Sequence, residues 1–211
     1  MTRLEAQQII EGRLGGRTGL ATQIVNEMKQ AQRELENKPF LPWFLRAADV
    51  MTTDVFTIPV PSNFLRELDD EAFLTLVGET ENLALEKQPY GYLSAIPEML
   101  VTGRPKYYSL VYDQNVSFER IELFPRPEKS YTFNRAYYGA DLNLSDDTTE
   151  NGWLYYAPKL LIAHAGLQVA KALRSPEAVK LFASDLIEAT KDYQFADVAR
   201  NMAAQSMVMG G

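Results

Sequence analysis

The chain of 211 residues contains no cysteine and a single histidine, His164. Without thiolates it can form neither a disulfide framework nor a Cys/His zinc site, and one histidine cannot supply a site built from a histidine pair. The sequence also has no uninterrupted apolar run of about 18 residues, the length that a membrane-spanning helix needs. These absences exclude cysteine nucleophiles, cysteine-bound zinc and membrane-spanning helices from the candidate functions.

Acidic side chains outnumber basic ones, 28 against 21, which gives a formal net charge of −7. A negative protein repels the phosphates of nucleic acids and of acidic lipids at long range. We therefore expect no membrane partner, no DNA-wrapping role and synthesis in a cytosol. The hydrophobic share of 46% is that of a folded domain and not of a disordered chain.

Apolar residues at steps of three and four predict helices at both ends of the chain. The first 48 residues are predicted to be helical, and so are the stretches from Leu154 to Lys171 and from Pro176 to Ala196. Ser175-Pro176-Glu177 is a typical helix start, with serine at the N-cap and proline at the first helical position.

Alternating patterns in the middle of the chain predict strands around Ile58, over 107–112 and 116–124 as a hairpin, and over 131–138, all in one antiparallel meander. Residues 63–77 have helical spacing, which predicts a short helix. The prediction is an α+β fold in one domain, 1–211. Residues 1–48 and 153–211 form a predominantly helical bundle, and residues 49–152 form an inserted small antiparallel β region.

Titratable residues do not form a recognisable catalytic pattern. His164 lies on the apolar stripe of a predicted helix, where a histidine is more often a packed residue than a base. Asp146-Asp147 and Asp69-Asp70-Glu71 are acidic clusters, but neither has the spacing of a calcium loop. We therefore predict no catalytic residue, no metal site and no cofactor, and a protein that is not an enzyme.

Aromatic residues occur in pairs, Tyr107-Tyr108, Tyr137-Tyr138 and Tyr155-Tyr156, and two tryptophans, Trp43 and Trp153, accompany them. Exposed tyrosine and tryptophan side chains form protein interfaces and also sugar- or peptide-binding platforms. A carbohydrate- or peptide-binding module that uses a tyrosine-rich sheet is therefore one hypothesis, and a protein–protein contact surface is the other.

The order and spacing of several phrases resemble those of tailed-bacteriophage head-to-tail adaptor proteins, the head-completion or connector family. The similar phrases are Leu41-Pro42-Trp43-Phe44-Leu45, Pro61-Ser62-Asn63-Phe64-Leu65-Arg66-Glu67, Gly103-Arg104-Pro105-Lys106-Tyr107-Tyr108, Leu123-Phe124-Pro125-Arg126-Pro127, Tyr131-Thr132, Tyr137-Tyr138, Asn151-Gly152-Trp153-Leu154 and Ala157-Pro158-Lys159-Leu160-Leu161-Ile162. The resemblance spans nearly the whole chain, although 79–98 and the methionine-rich end match no family phrase.

This resemblance implies a structural virion protein at the head–tail junction. Members of the family assemble as a homo-oligomeric ring, usually a dodecamer, which docks on the portal protein, offers a platform for tail or nozzle proteins and continues the channel for double-stranded DNA. Such a ring needs two dissimilar faces on each protomer. An acidic lumen would let DNA pass without binding it, and Asp69, Asp70 and Glu71 are the candidate channel-lining residues.

Partner contacts are predicted at two places. Trp43 and Phe44 follow the second predicted helix, and the uncharged C-terminal segment is rich in methionine, whose unbranched side chain adapts to irregular grooves. The candidate contact residues in that segment are Met202, Met207, Val208 and Met209. The segment is expected to become ordered on the portal.

Overall fold

A computed structural model describes residues 1–17, 19–38, 41–68, 71–78, 81–113 and 118–208, and the side chains of 113, 118 and 195–208 lie outside that description. The chain divides into two compact units. The helical unit comprises Met1–Leu45 and Asp141–Gly211, and the β unit comprises Arg46–Ala140.

The described residues form six α-helices and eleven strands, together with short 3-10 helices at Trp43–Leu45 and Pro97–Met99. The helices are α1 (Arg3–Arg13), α2 (Ala21–Glu36), α3 (Tyr90–Ser94), α4 (Gly152–Tyr156), α5 (Pro158–Ala172) and α6 (Pro176–Val208). The strands are β1 (Arg46–Thr53), β2 (Thr57–Pro59), β3 (Phe64–Glu67), β4 (Leu74–Leu76), β5 (Leu83–Ala84), β6 (Glu86–Lys87), β7 (Thr102–Gly103), β8 (Tyr107–Asp113), β9 (Phe118–Phe124), β10 (Arg126–Pro127) and β11 (Tyr131–Gly139).

The helical unit is built around α5, which packs against α1, α2 and α6. α1 begins with a capping box, in which the Thr2 side chain accepts a hydrogen bond from the Glu5 amide and the Glu5 side chain accepts one from the Thr2 amide. Between α5 and α6, Arg174 adopts a positive φ of 53°, so the chain reverses within three residues. The ring of Phe182 on α6 then lies directly over Gly166 on α5.

The β unit contains two larger sheets and a two-stranded one. The first sheet has the order β1-β11-β4-β5, with β3 also paired to β11, and the second has the order β2-β9-β8-β6. The two short strands β7 and β10 pair in parallel. One buried core joins residues of both larger sheets, among them Ile58, Leu74, Ile121 and Phe133. β11 is the central strand of the first sheet because it pairs with β1, β3 and β4.

The predicted helical bundle with an inserted β hairpin is wrong. The chain is α+β, but 26% of its residues are strands in three sheets, and these strands dominate the central body. The physical reason is the long pairing of β1 with β11, eight residue pairs that join segments about 85 positions apart in sequence. Residues 46–48, predicted to be helical, begin β1, and the helix predicted over 63–77 is replaced by β3 and β4.

Other local predictions have mixed outcomes. The hairpin is confirmed as β8 and β9, which pair antiparallel from Tyr107↔Phe124 onward, and the helix start at Pro176 is also confirmed. The single meander is wrong because β9 and β11 lie in different sheets. The helix predicted from Leu154 to Lys171 is divided, since α4 ends at Tyr156 and α5 begins at Pro158. Among the described residues, no helix has the length and apolar character required to cross a membrane.

Candidate partner-binding surface

Five aromatic side chains of the helical unit form one cluster, here called the aromatic cluster: Trp43, Phe44, Trp153, Tyr155 and Tyr156. The rings of Trp43 and Tyr156 meet edge to face with centroids 4.7 Å apart. Phe44 stacks on Tyr156 at 5.3 Å and meets the Trp153 ring edge to face at 5.1 Å. These are the geometries that aromatic pairs favour, and each pair contributes roughly 0.5–1.5 kcal/mol beyond its buried area.

The backbone around α4 explains why these rings meet. The side chain of Asn151 accepts a hydrogen bond from the Leu154 amide at 3.0 Å and so begins α4. Pro158 opens the next helix, so α4 is confined to five residues. A Cβ on Gly152 would lie 2.7 Å from the Phe44 ring, which means that only glycine lets Phe44 approach the first turn of α4 this closely.

A buried polar network holds the base of the cluster. The Glu36 carboxylate atom Oε1 accepts hydrogen bonds from the Trp153 indole at 3.1 Å, from Gln32 Nε2 at 2.9 Å and from the Asp141 amide at 3.2 Å. The Asn151 side chain donates to Gln32 Oε1 at 3.1 Å. Because Glu36 lies on α2 and is 7% exposed, this network fixes α4 to α2 without contact with bulk solvent.

The cluster combines a buried base with an exposed rim. Trp153 is 1% exposed, whereas Tyr155 is 69% and Tyr156 48% exposed, and Trp43 and Phe44 are half-buried. Tyrosine and tryptophan are among the residue types that contribute most to the binding energy of protein interfaces. No known protein family and no curated protein matches this chain. The aromatic cluster is therefore a candidate partner-binding surface on its own geometry.

The structure brings two of the predicted contact residues into this surface. Trp43 and Phe44 lie in the 3-10 helix and contact α4. Tyr155 and Tyr156 stand out in the sequence as an aromatic pair, but no local pattern places them beside Trp43, because more than 110 positions separate the two segments. The one feature that the two segments share in the sequence is their composition, because both are rich in aromatic residues.

Of the remaining predicted site residues, only Glu71 has a described side chain. Glu71 is described: it is exposed in the β unit, and its Oε1 lies 3.2 Å from Arg46 Nη1. Asp69, Asp70 and Met209 lie outside the described residues. The backbone of Met202, Met207 and Val208 belongs to α6, but their side chains lie outside the description.

His164 lies on α5 with its Nε2 atom 3.4 Å from Glu34 Oε2 on α2. Its Nδ1 atom is buried and has no hydrogen-bond partner. Burial lowers the pKa of the imidazole below its usual value of 6.5, and the positive charges of Lys38 and Lys171 act in the same direction. The Glu34 carboxylate opposes them. His164 therefore lies in the packed interface between α2 and α5.

The acidic clusters act as anchors where the structure describes them. Arg3 forms an ion pair with Asp147, and its Nε donates to the Asp146 carbonyl at 2.9 Å, so the 145–150 loop is held against α1. Within the described ranges, no group of three or more histidine, aspartate or glutamate side chains could hold a metal ion.

Three of the six tyrosines in the two larger sheets are core residues. Tyr108, Tyr137 and Tyr138 are 3%, 4% and 7% exposed. The Tyr108 hydroxyl donates to Glu67 at 3.0 Å, and burial together with this carboxylate raises the pKa of Tyr108. Tyr112 is 60% exposed and lines a shallow groove of about 470 Å³ together with Pro59, Pro61 and Phe64.

Proposed function

We propose that this chain is a structural virion protein that forms a homo-oligomeric ring between the portal and the tail of a tailed bacteriophage. In this proposal the ring docks on the portal protein, receives tail or nozzle proteins and continues the DNA channel at the head–tail junction. The proposed role comes from the family resemblance of the sequence. The structural observation that supports it is the aromatic cluster.

The aromatic cluster supports a docking role because it is rigid before any partner arrives. The network around Glu36 fixes Trp153, Trp153 packs against Phe44, and Phe44 stacks on Tyr156. A surface that is ordered in advance loses little side-chain entropy on binding, which improves affinity. The rim tyrosines each present a large apolar body with a polar hydroxyl, which suits an interface that is wet at its edge.

The length of α6 is a second feature that supports a role in assembly. At about 1.5 Å per residue, its 33 residues extend for roughly 50 Å, whereas the 15 residues of α5 extend for roughly 22 Å. Phe182 lies opposite Gly166, and the rings of Tyr193 and Trp153 are 6.5 Å apart. The last turns of α6 therefore run past Pro158, the first residue of α5, where a neighbouring subunit or the portal could receive them.

In the decisive experiment, the purified chain is mixed with a ring of the portal protein that a neighbouring gene encodes, and the mass of the complex is measured. We expect a defined multi-subunit complex for the wild type. The double substitution Tyr155→Ser/Tyr156→Ser should abolish it, while Tyr92→Ser, at a similarly exposed tyrosine of the β unit, should leave it intact. No complex with the portal, combined with retention of a monomer on immobilised glycans or peptides, would instead support the binding-module hypothesis.

A further inference from the structure

β1 is an unusually long edge strand for this molecule. It has eight residues and stands at the end of the first sheet. The other strands that pair on one side only in the two larger sheets, β2, β3, β5 and β6, have two to four residues. Proteins protect sheet edges by keeping them short or by placing lysine or proline there. β1 is long and contains neither residue.

The hydrogen bonds of β11 show which backbone groups of β1 point outward. The Val77 amide donates to the Thr132 carbonyl at 2.8 Å, and the Ala136 amide donates to the Phe73 carbonyl at 3.0 Å. Even-numbered residues of β11 therefore bond toward β4, and odd-numbered ones bond toward β1. In the observed register the odd residues of β1 face odd residues of β11. The backbone N–H and C=O groups of Ala48, Val50 and Thr52 consequently point away from the sheet.

The side chains along this edge leave it open. Ala48, Val50 and Thr52 are all exposed, and Val50 is 67% exposed. Among the residues that the structure describes, no backbone group forms a hydrogen bond with the backbone of Ala48, Val50 or Thr52. The strand therefore offers a row of outward donors and acceptors beside small, uncharged side chains, which is the arrangement that accepts an added strand.

We propose that β1 pairs with β1 of a second copy of this chain, antiparallel and across a two-fold axis at Val50. In that register Val50 faces Val50, and Ala48 of each copy faces Thr52 of the other. All of these residues have outward-pointing backbone groups, so they form about six backbone hydrogen bonds between the copies. The two first sheets become one continuous sheet.

Charge selects this register over its neighbours. With Val50 on the axis, Arg46 of each copy, which also contacts Glu71 of its own chain, lies opposite Asp54 of the other, so two opposite-charge pairs flank the interface. Shifting the register by two residues toward the start of the strand removes both pairings between Arg46 and Asp54. It also places Asp49 opposite Asp49, a like-charge pair that Arg135 of each chain compensates only in part. Shifting it the other way removes both pairings between Arg46 and Asp54. The strand is thus complementary to itself in one register.

This pairing uses a different contact from the one that closes the proposed ring. A two-fold contact uses the same patch on both copies and closes after two subunits, whereas a ring requires two different patches on each subunit. It also protects the only long edge of the larger sheets in the described part of the chain against unspecific strand addition. Either proposal can therefore fail while the other holds.

Cysteine cross-linking tests the register directly, because the natural chain contains no cysteine. Under mild oxidation, V50C should form a disulfide-linked dimer, since residues directly opposite in a hydrogen-bonded pair have Cα atoms about 5.5 Å apart, within disulfide range. A48C alone should cross-link about tenfold less, because the two copies of position 48 lie beyond the roughly 7 Å limit. An equimolar mixture of A48C and T52C should restore the cross-link as a mixed dimer.

Two controls complete the test. V55C, at another exposed valine beyond the end of β1, should cross-link no better than A48C. In sedimentation without any cysteine, V50K should weaken the wild-type dimer at least about tenfold because it places two like charges across the axis, and V55K should not. A wild type that sediments as a monomer at every concentration, or V50C dimers no more abundant than those of V55C, would overturn the proposal.

Discussion

At the residue scale, Glu36 is the side chain on which the candidate surface most depends. One of its oxygens accepts three hydrogen bonds, and one donor is the buried indole of Trp153. We expect Glu36→Leu to lower the free energy of unfolding by about 3 kcal/mol, because it leaves several buried donors without an acceptor. Urea unfolding measures the change. Gln30→Leu, at an exposed position of the same helix, should change stability by less than about 0.5 kcal/mol. Equal effects of the two substitutions would contradict this role.

His164, also a single residue, should make stability depend on pH. Because burial lowers its pKa below 6.5, the folded chain binds the proton less tightly than the unfolded chain does. The contribution of His164 to the free energy of unfolding is therefore largest above pH 6.5 and falls as the pH drops through that value toward the lower pKa of the folded state. Urea unfolding at about pH 7.5 and about pH 5.5 measures this fall.

His164→Gln provides the control for this pH dependence, since His164 is the single histidine of the chain. The variant should lose less stability than the wild type between the two pH values, because no imidazole remains to be protonated. If both proteins lose the same amount, the carboxylates carry the whole effect and the prediction is wrong.

At the scale of elements, the contact between α5 and α6 depends on one glycine. A Cβ on Gly166 would lie 2.3 Å from the ring of Phe182, which is fully buried. Gly166→Ala should therefore destabilise the chain by about 2 kcal/mol through overpacking, despite the better helix propensity of alanine. Gly12→Ala is the matched control, because Gly12 is also helical but has open space around it. That substitution should raise stability by up to about 1 kcal/mol.

A second variant separates overpacking from other causes. Adding Phe182→Leu to Gly166→Ala should recover part of the lost stability, since the smaller side chain leaves room for the new methyl group. Thermal unfolding of the single and double variants measures this coupling. Additive losses would show that the close approach of Phe182 is not the cause.

The elements also show why sequence patterns predicted the helical parts better than the sheets. The start of α6 and the hairpin of β8 and β9 depend on neighbours within a few residues, and both were predicted. β3 and β4 depend on β11, more than 55 positions away, and the local spacing of Phe64, Leu68 and Leu76 suggested a helix instead. The aromatic cluster also depends on residues that are distant in the sequence, because Phe44 and Trp153 meet only after the chain between them has folded.

At the scale of the whole molecule, the β unit is a continuous segment with its own core. Arg46 at its start pairs with Tyr138 near its end, so the two ends of the segment are adjacent. Its buried cluster, which includes Ile58, Phe73 and Phe133, comes from residues of this unit alone. A continuous segment with a separate core and adjacent ends has the features of an independent folding unit.

We therefore expect a fragment of residues 46–140 to fold without the helical unit and to unfold in one cooperative transition. Circular dichroism on heating and the amide dispersion of a two-dimensional NMR spectrum measure this. Arg135 provides an internal check, because its guanidinium binds both oxygens of Asp49, each at 2.6 Å, and links β11 to β1. Arg135→Leu should destabilise the fragment and the full chain by similar amounts, about 3 kcal/mol, because it leaves Asp49 unpaired in a partly buried site. A fragment with a collapsed amide spectrum and no cooperative transition would show instead that the β unit needs the helices to fold.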